Sequence, residues 1–505
     1  MHIIIPATGM GRRFVDAGYT EPKPFILVDG KPMIQHVIEL FPKETNVSVI
    51  CREEMVARMK EICPYARVLV DTYRGLGPVD TILAVADSID DSEETIVSYC
   101  DYGTAWDYDA FKKFVHRTGS DGVLAIYRGF HPHNLGPDKY AVVRETDRVA
   151  HEVREKWQFS RSKLDDCTSN GTYYFRNGAL LKKYCKALVE SGEKVNGEFY
   201  MSLVYNRMIQ DGYKVMVFEI DRMLQWGTPA DLEDYQVWSN CFRSSVVPPV
   251  TDGITLLPMA GRGSRFSMVG YETPKPFLPI DGVPMMVAAI DCLPKTPELR
   301  IVTLAEHPDV QPYFPDAKVY RIPDVTDGQA TTCMKALDDV SDDTQLTITA
   351  CDNGAIYNAD RLSELLNDTS IDAIVWAFHN NPTSKLYPHM YAWLDVDETM
   401  RLRDVSVKRP FLDRPNKYAI IGTMTFRRTA DFKTGYDYIR KHDIRTNGEF
   451  YVDNLLKPLV DMGKKIVVFP VDYYLCWGTP NDYKTFTYWE SYFKNVHRSS
   501  SSEHA

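Results

Sequence analysis

Two tandem three-layer α/β/α domains, each with a mostly parallel mixed sheet, are what this 505-residue sequence predicts. Three observations carry that expectation. Short apolar, β-branched runs alternate with segments of helical period, the pattern of an open α/β sheet. A glycine-rich turn follows the first strand, where such sheets bind ligands. The pattern then returns: Gly9 to Gly261 and Lys23 to Lys275 are both 252 positions apart, with no gap across the stretch.

The first copy reads Ile3-Ile4-Ile5-Pro6, then Gly9-Met10-Gly11-Arg12-Arg13, then Pro22-Lys23-Pro24. The second reads Thr255-Leu256-Leu257-Pro258, then Gly261-Arg262-Gly263-Ser264-Arg265, then Pro274-Lys275-Pro276. Each is a buried strand, a glycine turn, and an arginine and a lysine at fixed distances. Glycines let the backbone approach a ligand and turn its N–H groups inward. Such a nest suits polyphosphate oxygens, and a helix start after it adds a favourable dipole. The two cations can neutralise phosphate charge. Neither a Walker loop nor a completed G-x-G-x-x-G is present.

In order, a helix is predicted at 32–40, a strand at 47–50, a helix at 55–62, a strand at 66–70 and a helix at 78–86. A strand at 95–100 runs into Asp101. Strands follow at 122–127, 140–143 and 171–175, with Glu155-Lys156 after a short extended segment. Asn196-Gly197-Glu198-Phe199-Tyr200 opens a helix to about 209, and 215–220 is a strand ending at Asp221. Trp226-Gly227-Thr228-Pro229 starts the last helix, with Thr228 as N-cap and Pro229 at N1. Pro248-Pro249 marks a stiff linker. The second half then repeats Asp101 as Asp352, the Asn196 stretch as Asn447-Gly448-Glu449-Phe450-Tyr451, and Trp226-Gly227-Thr228-Pro229 as Trp477-Gly478-Thr479-Pro480, all 251 apart. The expected division is 1–243, a linker 244–251, 252–490, and a tail 491–505 whose Ser499–Ser502 run is expected to be disordered.

Composition sets outer limits. A net charge of −11 argues against a general nucleic-acid surface. No run approaches the ~18 apolar residues of a membrane span, and no basic leader precedes the first strand. Ten scattered cysteines without C-x-x-C suit reduced thiols, and with them a cytoplasmic location, rather than a disulfide frame or zinc site.

The paired pattern resembles the signature of the sugar-phosphate nucleotidyltransferase superfamily: strand, G-x-G-x-R-[FL], a short excursion, then P-K-P. The resemblance runs through both halves. It implies a Rossmann-like, GT-A-type fold and transfer of a nucleoside monophosphate from an NTP to a phosphorylated sugar or polyol, with pyrophosphate released. It also implies a role in capsule or other surface polysaccharide synthesis. Arg13 and Arg265 would hold the departing phosphates, and Lys23 and Lys275 the α-phosphate. Gly9, Gly11, Gly77, Thr81, Gly261, Gly263, Gly328 and Thr332 would contact the nucleotide. Lys156 and Lys408 would hold the acceptor phosphate, with Glu198 and Glu449 beside it. Asp101 and Asp352 would bind Mg²⁺ (or Mn²⁺), a cation suited to one or two carboxylates plus phosphates.

The chain departs from the family pattern in two places. The position of the second metal ligand holds Gln225 in one repeat and Cys476 in the other, so Asp221 and Asp472 are the expected substitutes, with Glu198 and Glu449 behind them. The second repeat has Val407-Lys408 where the first has Glu155-Lys156. The base segments Gly77-Pro78-Val79-Asp80-Thr81 and Gly328-Gln329-Ala330-Thr331-Thr332 differ too, and so do His131-Pro132-His133-Asn134 and its loose counterpart Asn380-Asn381-Pro382. Unequal repeats follow: two different transfers, or one active and one silent site. Two rival readings stand beside this one. A nucleotide-sugar-dependent glycosyltransferase would show D-x-D where Asp101-Tyr102-Gly103 and Asp352-Asn353-Gly354 stand. In the other, one domain is a non-catalytic, nucleotide-binding regulatory partner. The partners expected are an NTP and a phosphorylated sugar or polyol, with no nucleic acid or membrane; a homo-oligomer is left open.

Overall fold

The computed structural model describes residues 1–502 except Tyr73, Asp138, Lys139, Asn380, Pro382, Thr383, Lys385 and Leu386; side chains are described to residue 495. The counterpart stretch Asn380-Asn381-Pro382 therefore lies largely outside the described residues. The chain divides into two units, Met1–Ser239 and Asn240–Ala505.

The first unit is built on a mixed nine-stranded sheet. In spatial order its strands are Arg67–Val70, Asn46–Cys51, His2–Pro6, Thr95–Ser98, Cys167–Phe175, Gly122–Tyr127, Val215–Glu219, Val149–Glu155 and Ala141–Thr146. The first four are parallel. Cys167–Phe175 runs antiparallel to both its neighbours, which makes the sheet mixed. Alternation along each strand feeds two cores: Ile4, Ile50 and Val97 enter one, while Ile3, Ile5, Val49 and Ile96 enter the other. Two apolar faces need two covering layers, so helices such as Gly178–Ser191 and Tyr108–Thr118 complete the three-layer arrangement.

The second unit repeats this order, with Lys318–Ile322, Glu298–Leu304, Ile254–Met259, Leu346–Ile348, Tyr418–Phe426, Ala373–Phe378 and Ile466–Pro470 side by side. Registers also match: Ser169 pairs Ile126 in one unit as Ile420 pairs Ala377 in the other. In both units the first strand lies between two later ones, the chain winding first to one side of it and then to the other. That reversal of strand order opens a crevice at the carboxyl ends.

Several expectations need correction. The strand before Asp101 ends at Ser98, and the chain then turns into a two-stranded ribbon, Tyr102–Ala105 against Arg222–Gln225. Asn196–Tyr200 forms a tight turn with Asn196 at φ 51°, and the helix begins only at Met201. The short extended segment expected before Lys156 is present, as the strand Val149–Glu155. The last helix runs Pro480–Ser502, so the serine stretch continues a helix instead of forming a loose tail. Trp489 and Phe493 are buried on that helix. Tertiary packing of one face lets a helix propagate through serines that would not hold it alone.

Candidate active site

The glycine turns set the geometry. Gly11 (φ 59°) and Gly263 (φ 62°) are left-handed. A Cβ on Gly11 would lie 3.2 Å from Lys23 Cβ, and one on Gly263 would lie 3.0 Å from Lys275 Cβ. Each turn is thus packed against the lysine twelve residues on, which sits in a 3₁₀ turn held between prolines. A Cβ at Gly9 or Gly261 would meet nothing within 4 Å, so the backbone there is open to the crevice.

Lysine and strand-end aspartate meet in both units. Lys23 Nζ pairs with the Asp101 carboxylate and donates to the Gly227 carbonyl at 3.0 Å. Lys275 Nζ pairs with Asp352 Oδ2 at 2.6 Å. In the second unit burial opposes both charges. The attraction between them wins, so Lys275 is raised above the ordinary lysine range and Asp352 is lowered below the ordinary carboxylate. A Cβ on Gly227 or Gly478 would lie 3.3 or 3.2 Å from the aspartate oxygen, which places the late Gly-Thr-Pro turn directly against it.

Around this pair lies a crevice. In the first unit it measures about 240 Å³ and is lined by Gly9, Gly11, Gly77, Thr81, Asp101 and Glu198. In the second it is about 540 Å³, lined by Gly261, Gly263, Gly328, Thr332, Asp352 and Glu449. Glu198 and Glu449 line these crevices together with Gly77 and Gly328. Arg13 lines the adjoining space with Gly9, Lys23 and Glu198. Burial lowers Lys408 below the ordinary lysine range, Asp453 opposes that, and the nearby Arg265 charge adds to it. Among the described residues neither arginine makes an ion pair. Asp80 is occupied, held by two hydrogen bonds from Arg74 at 2.7 and 3.0 Å.

Lys156 and Lys408 adopt the same left-handed backbone, φ 53° and 58°. Lys156 Nζ donates to Tyr200 Oη at 3.3 Å and lies over that ring; Lys408 lies over the Tyr451 ring and donates to the Met390 carbonyl. Tyr200 and Tyr451 are functional candidates the sequence analysis quoted but gave no role; their recurrence at 251 residues was the available signal.

A second missed residue is Asp453. In the first unit Ser202 donates a hydrogen bond to Glu155 across the strand–helix boundary. In the second, Val407 replaces Glu155 and Asp453 replaces Ser202, so the carboxylate has moved from strand to helix. Burial raises Asp453, while the Lys408 charge pulls the other way. The glutamate lost from the motif therefore has a spatial substitute near the same lysine. Comparing the two repeats column by column would have found it.

Burial pushes Glu155 up to about 7, with the Ser202 hydrogen bond resisting. Its folded value lies above the unfolded one, so its contribution to stability is full below about pH 4.5 and is lost as pH rises through about 7. The first unit is therefore expected to lose about 1–3 kcal/mol between pH 5 and 8. Glu155→Gln should flatten that slope in denaturant titrations at several pH values; an unchanged slope would contradict the assignment.

The metal expectation divides. Asp101 and Asp352 face the crevice. Asp221 and Asp472 do not: the ribbons pair Gln225 with Tyr102 and Cys476 with Asn353, leaving both aspartates beyond the opposite ends. A four-residue ribbon separates each from the strand-end aspartate by on the order of 10 Å. Among the described residues no three His, Cys, Asp or Glu side chains form a group that could hold a metal. One carboxylate in an open crevice suits Mg²⁺ shared with phosphate oxygens, not an all-protein site.

Comparison with known proteins agrees with the internal repeat. The family model for the MobA-like NTP transferase domain matches twice, over residues 3–165 and 256–416. Among solved structures, a nucleoside-diphosphate-sugar pyrophosphorylase from Vibrio cholerae RC9 is 22% identical over 46% of this chain and 99% of its own, with a TM-score of 0.39. The inositol-1-phosphate CTP transferase from T. maritima is 17% identical over 48% of this chain and 98% of its own, with a TM-score of 0.38.

Proposed function

This chain belongs to the MobA-like NTP transferase domain family, and we propose that it transfers a nucleoside monophosphate from an NTP to the phosphate of a sugar, polyol or related small molecule. The supporting observation is the lysine–aspartate pair packed against an open glycine turn, formed by three separate segments in both units.

In this reading an acceptor phosphate oxygen attacks the α-phosphorus in line. A new P–O bond forms, the bond to the bridging oxygen breaks, and pyrophosphate leaves. The backbone at Gly9 or Gly261 admits the phosphates. Lys23 or Lys275 neutralises charge growing on the α-phosphate, and Arg13 or Arg265 takes the departing phosphates. Lys156 or Lys408, seated over a tyrosine ring, holds the acceptor phosphate. Bound Mg²⁺ would supply further neutralisation, held by Asp101 or Asp352. No side chain needs to act as a nucleophile. All ten cysteines are free, which suits a reducing compartment. The product would be an activated sugar or polyol of the kind used in surface polysaccharide assembly.

The test is pyrophosphate release from the four NTPs against a panel of phosphomonoesters. Release is expected with at least one pairing and should fall to background in a chelator. Full activity in the chelator would exclude the metal role, and no release with any pairing would remove the reading.

A further inference from the structure

The Asn-Gly-Glu turn recurs unchanged in both units, and no step above uses its glutamate. In the first unit Val195 and Glu198 exchange backbone hydrogen bonds of 3.0 and 3.1 Å, with Asn196 at φ 51° and Gly197 at φ 84° between them. In the second, Thr446 and Glu449 exchange two of 3.0 Å around Asn447 at φ 53° and Gly448 at φ 82°. Two successive left-handed residues close a tight hairpin turn, which Asn-Gly favours. The residue after each glutamate is pinned as well. Phe199 N donates to the Leu76 carbonyl at 2.8 Å, and Phe450 N donates to the Asp327 carbonyl at 2.9 Å. The Phe450 carbonyl accepts in turn from Ala330 at 3.0 Å. Both phenylalanine side chains are buried. The backbone on either side of the glutamate is therefore fixed, and it is held against the glycine segment of the crevice. A Cβ on Gly77 would lie 3.0 Å from Glu198 Cβ.

These carboxylates belong to the nucleotide side. Glu198 lines the crevice with Thr8, Gly9, Gly77 and Thr81. The adjoining pocket of about 210 Å³, which holds Glu155 and Lys156, is lined without it. Glu449 lines the second crevice with Gly261, Gly328 and Thr332. Among the described residues neither glutamate makes an ion pair. A negative group beside a polyphosphate repels it, unless another part of the same ligand donates protons to that group. A nucleoside has two kinds of donor, the ribose hydroxyls and the N–H groups of the base. Comparison of the units separates them. Thr8, Pro78 and Asp80 stand where Ala260, Gln329 and Thr331 stand in the second unit, so the side chains around the turn change. The glutamate and its backbone do not. A group kept while its surroundings change suits the part that all ribonucleotides share. A carboxylate also offers two acceptor oxygens to two adjacent hydroxyls. Other α/β nucleotide sites read the ribose with an acidic side chain.

We propose that Glu198 and Glu449 accept hydrogen bonds from the ribose hydroxyls of the bound NTP, so that each unit selects ribonucleoside over 2′-deoxyribonucleoside triphosphates. This rests on the reading of both crevices as NTP sites. Hydrogen bonds to a charged acceptor of this kind are worth about 10-fold to 100-fold in affinity.

The experiment is titration calorimetry of the full chain with Mg²⁺ and ATP, CTP, GTP or UTP, each against its 2′-deoxy counterpart. It needs no acceptor. At least one ribonucleotide is expected to bind about 10-fold or more tighter than its deoxy form. In the double variant Glu198→Ala with Glu449→Ala, the ribonucleotide should weaken to the level of the deoxy form. The deoxy form should bind as before or more tightly, because a repelling charge is gone. Each single variant should leave one selective and one unselective site. Glu198→Gln with Glu449→Gln keeps an acceptor oxygen without the charge and should retain part of the selection, about 3-fold. Equal affinity for both sugars in the unsubstituted chain would overturn the proposal. So would equal weakening of both sugars in the alanine variant, as loss of a metal ligand or of the turn would give. Absence of binding by any NTP would remove the transfer reading with it. Ribose selection without pyrophosphate release would leave the proposal standing and count against transfer alone.

Discussion

Lys275→Ala is expected to lower turnover by the second unit about 10³-fold, the usual loss when one preorganised donor is removed from developing transition-state charge. The geometry adds a second effect. Lys275 and Asp352 form a pair whose side chains are only 19% and 24% exposed. Removing the cation leaves a largely buried carboxylate unpaired, which costs several kcal/mol when burial is complete. Partial exposure reduces that to about 1–2 kcal/mol. The two effects separate in the double variant Lys275→Met with Asp352→Asn, which removes both charges together. Stability should return to within about 1 kcal/mol of the unsubstituted protein, while turnover stays lost. Recovered turnover would mean that the lysine serves only to neutralise the aspartate.

Gly328→Ala is expected to be the most damaging small substitution in the second unit. Gly328 adopts φ 144°, and a Cβ there would lie 2.4 Å from the Phe450 nitrogen and 2.5 Å from its carbonyl oxygen. Both are backbone atoms of the turn after Glu449, so no rotamer change relieves the clash. A cost of about 3 kcal/mol or more follows from combined backbone strain and overpacking. The matched control is Gly261→Ala, where a Cβ meets nothing within 4 Å. That protein should fold with its stability changed by no more than about 0.5 kcal/mol and should bind NTP more weakly, because a methyl group then projects into the phosphate space. Denaturant midpoints and nucleotide titrations on the two proteins would check the pair. Equal stability in both would contradict the packing described here.

Much of this arrangement was legible in the sequence because it rests on local rules. The glycine turns, the Pro-Lys-Pro lysines and Asp101 with Asp352 follow strand ends, and a repeat at fixed spacing shows which strand ends belong together. Side-chain geometry across distant segments was not legible. Asp221 and Asp472 also follow strands, but those strands stop at the far side of a ribbon that only pairing register reveals. Asp453 escaped because a motif is read along the chain, and here the carboxylate crossed from a strand to the helix packed on it. Val149–Glu155 was legible only as a short extended segment, because its length and place in the sheet depend on partner strands that the sequence does not identify.

The central claim is nucleotidyl transfer, and the position of the α-phosphorus tests it most directly. With NTP labelled at that phosphorus and a phosphomonoester acceptor, the label should appear in a product joined to the acceptor phosphate. One pyrophosphate should be released for each labelled product, and none should form in the double variant Lys23→Ala with Lys275→Ala. Label retained in a nucleoside diphosphate alongside released inorganic phosphate, or product formation undiminished in that double variant, would contradict the account.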